Sequence, residues 1–330
     1  MYSAKRVLAV DVKKPERSLG CEFKQLDFLQ LSSSDQSLDE MTQLFSNNKD
    51  SKDSPTHIIN MIQNRKFLVL KKDIDYSQPL HEIDFKYTFS DAFKETQIYQ
   101  TNITSLHNSI ELAKHMKAQL FVPSSIISQS THQQKHFAHP KFLKLKEQII
   151  QDTFNEKTID IRCLRLPFIS DFINQDNEKY HQPVDLIRQF IMNGLMKNIS
   201  LTVANPETPL PIINISDATD QIIKLIEADK KSITQPIYTL PGVFDINLKQ
   251  LSKFMRKINY KFRYDFIDQA TQTTEERQLR YFIDAIPQQQ ITIEEQTQIN
   301  ARDWGYQQIE VKKPIRYIEG IIEKIMEYQQ

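Results

Sequence analysis

The sequence predicts an α/β fold built on a largely parallel sheet. Three observations carry that prediction. Short apolar runs rich in β-branched residues alternate with segments of helical period through the first half of the 330-residue chain. One of those runs, Leu120-Phe121-Val122, ends at Pro123-Ser124-Ser125, and strand carboxyl ends are where ligand-facing loops of such sheets lie. The second half has longer helices and fewer strands, which predicts a smaller α+β domain. The expected division is residues 1–168 and 169–330, with residues 210–230 rejoining the first core.

Taken in order, Val7 to Val12 is an apolar run that includes Asp11 and precedes Lys-Lys-Pro, a strand and its turn. Phe23 to Phe28 is a second short strand segment, ending at Asp27. From Ser34 to Phe45, Leu38, Met41, Leu44 and Phe45 share one helical face, with Ser34 or Asp35 placed to cap it. A polar loop, 47–55, leads to a strand from His57 to Met61. Lys66 to Leu70 and Phe85 to Phe89 read as two further strands. Asn102 to Met116 is an amphipathic helix with Leu106, Ile110, Leu112 and Ala113 on its apolar side. Leu120 to Val122 is a strand, Pro140 to Phe154 a helix, and Asp160 to Leu166 a strand closed by Pro167. In the second half, Val184 to Asn198 is helical and Ile212 to Ile215 is a strand. Ser216 is expected to cap a helix from Asp217 to Asp229. Ile237 to Leu240 and Phe262 to Ile267 read as strands. Leu248 to Ile258, Glu275 to Ala285 and Pro314 to Met326 read as helices.

Composition removes several function classes. Lys plus Arg is 42 and Asp plus Glu is 42, so the basic footprint of a nucleic-acid binder is missing. Two cysteines, Cys21 and Cys163, exclude a disulfide framework and favour a reducing compartment. Cys163 lies in an apolar strand and reads as a small buried thiol. His132, His136 and His139 crowd a polar loop without acidic or cysteine partners, so they read as surface residues and no metal is expected. No apolar run reaches the ~20 residues that span a bilayer, and the N-terminus lacks the h-region of a signal peptide. Glycine is scarce. Only Gly20, Gly194, Gly242, Gly305 and Gly320 occur, so neither G-x-G-x-x-G nor G-x-x-x-x-G-K-[ST] exists in this sequence.

Five segments carry a resemblance. They are Asn102-Ile103-Thr104-Ser105-Leu106-His107-Asn108, Leu120-Phe121-Val122-Pro123-Ser124-Ser125-Ile126 and Asp160-Ile161-Arg162-Cys163-Leu164-Arg165-Leu166-Pro167. Leu210-Pro211-Ile212-Ile213-Asn214-Ile215-Ser216-Asp217 follows, then Asn300-Ala301-Arg302-Asp303-Trp304-Gly305-Tyr306. In order and spacing, from about residue 100 onward, the chain resembles the short-chain, epimerase-like L-threonine 3-dehydrogenases of the extended short-chain dehydrogenase superfamily. The resemblance implies a Rossmann-like sheet, here in degenerate form, with a smaller substrate-type domain. In that family a Ser or Thr, a Tyr and a Lys move a hydride between threonine and NAD, with Tyr and Lys spaced Y-x-x-x-K on one helix face. The matching positions are Ser125, Phe142 and Lys146. Phenylalanine stands where the family has its tyrosine, and a phenyl ring exchanges no proton.

Other departures point the same way. The Gly-Ala-Phe-Gly turn after the family's Pro-Ser-Thr strand is Ile127-Ser128-Gln129-Ser130 here, and the glycine-rich substrate loop is Asn177 to Gln182. Val7 to Pro15 resembles the family's second strand, whose terminal acid binds the adenosine ribose, and Phe23 to Asp27 the strand whose Asp reaches adenine. In this register Asp11, Asp27 and Ser124 are remnant cofactor positions, and the first strand with its glycine loop has no counterpart in the sequence. An inserted strand, Lys66 to Leu70 or Phe85 to Phe89, or else a partner chain, is then expected to fill the middle of the sheet. A competing register makes Val7 to Val10 the first strand, with Leu19 to Phe23 on the first helix.

The resemblance with these departures implies a catalytically silent protein, kept as a structural or accessory subunit of a larger assembly. No cofactor is expected, or NAD if nucleotide binding is retained for stability. Protein partners are expected, a homodimer included, without nucleic acid or a transmembrane segment. The family is mitochondrial in eukaryotes, and respiratory complex I holds an accessory subunit of the same superfamily, which points to a mitochondrial assembly. The alternative is an active NAD-dependent L-threonine 3-dehydrogenase or nucleotide-sugar epimerase-like oxidoreductase whose N-terminus is cut short.

Overall fold

The computed structural model describes residues 7–15, 20–30, 56–62, 99–129, 138–169, 207, 209–258 and 293–309, with single positions at 39, 42, 43, 316 and 318–320. The chain divides into two compact units. The first comprises Met1–Lys66, Phe85–Val122 and Gln148–Arg162, and the second Phe67–Asp84, Pro123–Glu147 and Cys163–Gln330.

In the first unit, β1 (Leu8–Asp11) runs parallel to β2 (Glu22–Gln25), with Leu8 opposite Glu22 and Asp11 opposite Gln25. β3 (His57–Ile59) runs parallel to the start of β4 (Gln119–Ser125), with His57 opposite Gln119. One turn of π-helix, Gln100–Thr104, leads into α1 (Ser105–Met116). Its apolar stripe is the one the 3.6-residue period demands: Leu106, Ile110, Leu112 and Ala113 are all buried. Each large aliphatic residue on it contributes about 1.5–3 kcal/mol by leaving water. Leu112 gathers Leu26, Phe28, Ile58 and Met116. The helix stops at Lys117, which adopts φ +52° and donates its N–H to the last-turn carbonyls of Ala113 and Lys114.

Asn60 ties β3 to this helix. Its backbone N–H donates to Phe121 O (2.9 Å), and its side-chain amide donates to Ser109 Oγ (2.9 Å). The backbone N–H of Leu120 donates to Asp160 O at the mouth of β5 (Ile161–Leu166). Arg162, fully buried, forks onto the Asp160 carboxylate at 3.0 and 2.7 Å. The bidentate pairing of Nε and Nη2 with this carboxylate offsets part of the cost of enclosing the charge.

In the second unit, β5 runs parallel to β8 (Ile237–Thr239), with Cys163 opposite Ile237. A second sheet joins β6 (Phe168–Ile169) in parallel to β7 (Leu210–Ile213), and β7 in antiparallel to β9 (Phe244–Ile246). Helices α2 (Ala138–Glu156), α3 (Ile215–Glu227), α4 (Leu248–Ile258) and α5 (Ile293–Trp304) complete the regular elements. The loop from β8 to β9 crosses β7 so closely that a Cβ on Gly242 would lie 2.7 Å from Pro211 Cβ and 2.8 Å from its Cα. Glycine is needed there for space.

The parallel α/β architecture is the one expected, with differences in detail. Asn214, not Ser216, caps α3. It is extended (ψ 163°), and its Oδ1 accepts from the Asp217 N–H at 2.7 Å. β4 continues through Pro123-Ser124 to Ser125 instead of closing at Val122. β6, β9 and α5 were not expected. The expected helices at 34–45, 184–198, 275–285 and 314–326, and the strands at 66–70, 85–89 and 262–267, lie wholly or largely outside the described residues.

Candidate functional site

The residues flagged around Ser125 belong to the end of β4 and to α2. Helical period puts Phe142, Leu143, Lys146, Glu147 and Ile150 on one buried face of α2. Phe142 is 1% exposed, so the residue four before the lysine is a core side chain. Glu147 is the organising group. Its Oε1 accepts from Ser124 Oγ at 2.6 Å and from Arg165 Nε at 3.0 Å, and its Oε2 accepts from Arg165 Nη2 at 2.8 Å. The other terminal nitrogen of Arg165 reaches Thr239 Oγ1 at 3.4 Å. A continuous polar chain therefore joins β4, α2, β5 and β8 through Ser124, Glu147, Arg165 and Thr239.

Lys146 stands beside this chain and does not join it. It is 8% exposed. Burial lowers its pKa below the ordinary lysine value, against the opposing influence of Cys163 and Glu147. Cys163 is fully enclosed, and burial followed by the Glu147 carboxylate pushes its thiol far up, so it is inert as a nucleophile. The Ser125 hydroxyl accepts weakly from the Ile127 N–H at 3.4 Å. Among the described residues no hydrogen bond joins Ser125 to Lys146. The structure thus brings Ser124 and the α2 face together, but around Glu147, which sequence reasoning missed. The available signal was its place on the buried helix face, where an acid requires a partner.

In the first unit, Asp11 Oδ1 accepts from the Lys13 N–H (2.9 Å) and Asp27 Oδ1 from the Leu29 N–H (3.0 Å). Both acids close the turns that follow their own strands. Only ten residues, Val12 to Cys21, separate β1 from β2, fewer than the dozen or more of a helical crossover. Gly20 (φ +70°) is the single glycine near these strands. A dinucleotide pyrophosphate needs several backbone N–H groups exposed by glycines at a helix N-terminus. The residues described here do not fit it.

The Asn-Ala-Arg-Asp-Trp-Gly segment forms the end of α5. Asp303, 1% exposed, accepts from Tyr238 OH (2.8 Å), Thr234 Oγ1 (2.5 Å) and Arg302 Nε (2.6 Å). Burial alone would raise its pKa, but the hydrogen bonds from Arg302, Thr234 and Tyr238 together hold it below the ordinary value. Asn300 donates to Thr239 O at 2.8 Å. Trp304 packs edge-on against Tyr238 and Tyr306, with ring centroids 6.3 and 5.3 Å away. This segment clamps β8 and the loop before it.

Solved structures that share this fold include L-threonine dehydrogenases. The chain is folded like those enzymes. The enzyme from Clostridium difficile superposes with a TM-score of 0.66 at 15% identity, over 99% of this chain and 91% of that one. A monomeric L-threonine 3-dehydrogenase from a metagenome gives 0.62 at 17% identity, over 98% and 92%. TunA, an NAD-dependent NDP-hexosamine 5,6-dehydratase, gives 0.59 at 11%, over 98% and 89%. No family model matches the sequence, and no curated protein matches it. At these identities the likeness establishes the fold and leaves the chemistry to the residues. Among the described residues no helix is long and apolar enough to cross a membrane, and no group of three or more His, Cys, Asp or Glu is placed to hold a metal. His132 and His136 lie outside the described residues.

Proposed function

We propose that this protein is a catalytically silent relative of the NAD-dependent short-chain dehydrogenases, serving as a structural or accessory subunit of a larger protein assembly. The observation that carries the reading is Phe142. It is buried, has no ionisable hydroxyl, and stands four residues before Lys146 where these enzymes place their proton-transferring tyrosine. Loss of a general acid–base group costs typically 10²–10⁴-fold in rate. Two features support the reading. Ser124 and Glu147 are engaged with each other and with Arg165, so the polar groups at the end of β4 serve packing. Around β1 and β2 the sequence holds one glycine, Gly20, where a pyrophosphate cradle uses several. Exposed Ile59 and Met61, two residues apart at the end of β3, suit contact with a protein partner. The mitochondrial setting belongs to the same proposal.

The test is to isolate the endogenously tagged chain under mild conditions, size the complex and locate it by fractionation. Recovery in a stable hetero-assembly, with no threonine-dependent NAD reduction by the purified chain, is the expected result. A lone chain or homodimer that turns over NAD with threonine overturns the proposal.

A further inference from the structure

In the second unit two exposed helix faces carry opposite charge. On α4, Leu248, Leu251 and Met255 are buried, which fixes the helix and turns Lys249, Lys253 and Lys257 outward in a row of four-residue spacing. The helix contains no acid. On α3, Ala218, Gln221 and Leu225 are buried. Ile215, Thr219, Ile223 and Glu227 then form an exposed row of the same spacing, with exposed Asp220 beside it. Ile215 is 42% exposed and Ile223 39%, and they are the exposed large hydrophobics of this unit among its described residues. Lys249 pairs with Glu207. Among the described residues Asp220, Glu227, Lys253 and Lys257 make no ion pair.

A row that mixes isoleucine with carboxylate has a definite complement. A lysine covers apolar surface with its methylene stem and carries its ammonium past it to an acid. The α4 row is built of such side chains. Both halves of the match lie on one chain, and its 42 basic residues balance its 42 acidic ones, so two copies approach without net repulsion. We propose that the protein self-associates as a two-fold dimer in which α3 of each copy lies against α4 of the other. Lysine stems of one copy cover Ile215 and Ile223 of the second, while Lys253 and Lys257 pair with Asp220 and Glu227. Two-fold symmetry makes the contact twice, because each copy offers both faces. The inference is independent of the silent-subunit reading: a dimer that turns over NAD and a dimer that does not both satisfy it.

The experiment is a charge swap on the full-length chain, read by sedimentation equilibrium and native mass spectrometry. The wild type is expected at the mass of a dimer. Its dissociation constant should rise at least about tenfold between about 0.1 M and about 1 M salt, as the screening length falls from about 10 Å to about 3 Å. One variant carries Asp220→Lys and Glu227→Lys, the other Lys253→Glu and Lys257→Glu. Each alone should be monomeric, because like charges then face each other at both contacts. Mixed, they should form a one-to-one heterodimer: reversed faces meet at one contact and unaltered faces at the other. In the wild type, a carbodiimide should join Lys253 or Lys257 of an isotope-labelled copy to Asp220 or Glu227 of an unlabelled one, a readout that needs no variant to fold. A wild type that stays monomeric overturns the proposal, even if α4 binds anionic vesicles or another protein. So does a dimer that forms no such cross-link, or one that both reversals leave intact.

Discussion

Lys146 and Glu147 are neighbours with opposite histories of compensation. Glu147 is buried and engaged by Ser124 and Arg165, whereas Lys146 is buried and, among the described residues, makes no ion pair. Lys146→Met should therefore stabilise the fold at neutral pH, each kcal/mol gained raising Tm by about 2–4 °C in a chain of this size class. The sign of its pH dependence follows from linkage. The folded pKa is lowered, so between that value and the ordinary 10.5 the unfolded chain binds more protons and wild-type stability rises with pH. The advantage of the variant should shrink from pH 7 to pH 10 in paired urea titrations; an advantage that grows would contradict the account. Glu147→Ala should do the reverse. It strands Arg165 and the Ser124 hydroxyl, and breaking a buried pair typically costs about 3 kcal/mol. The Glu147→Met, Arg165→Met double variant should recover most of that loss in the same titration.

Among the elements, α3 and α5 show what a sequence displays and what it hides. Asn214 and Ser216 can each accept an N-terminal N–H, and the residue type alone does not choose between them. The choice falls to Asn214, the residue that keeps the extended backbone of β7's exit. Asn214→Ala should cost about 1 kcal/mol by urea denaturation, while Ser216→Ala should cost much less. α5 eluded hydropathy because its buried face is polar: Asn300 and Asp303 go inside with Trp304. The partners that permit this, Thr234, Tyr238 and the Thr239 carbonyl, lie more than sixty residues away. Asp303→Asn should cost about 2–3 kcal/mol at pH 6, from the unsatisfied groups left behind. The folded Asp303 carboxyl sits below its ordinary value of 3.8. Its contribution is thus present above that value and is lost as pH falls through the folded one. The wild type should weaken towards the variant between pH 4 and pH 2, monitored by circular dichroism. An unchanged difference across that range would remove Asp303 from its assigned role.

For the whole molecule, the parallel α/β plan was readable because β4, β5, α1 and α2 bury continuous apolar sets with clean periods. The candidate site was legible as residue types along the chain: Ser125 ends β4, and Phe142 and Lys146 share the buried face of α2. The Ser124–Glu147–Arg165 chain came from a strand, a helix and a second strand that only folding brings together. Asp11 and Asp27 were legible as strand-end acids, and each closes a local turn. The fold is shared with L-threonine dehydrogenases over nearly the whole chain, and the silent-relative proposal turns on Phe142. The most direct measurement is threonine-dependent reduction of NAD by the purified full-length chain, followed at 340 nm beside an active L-threonine dehydrogenase. The account predicts a rate at the no-protein background, unchanged by saturating NAD. Turnover within about 10²-fold of the active enzyme, less than the usual cost of losing a general base, would contradict it.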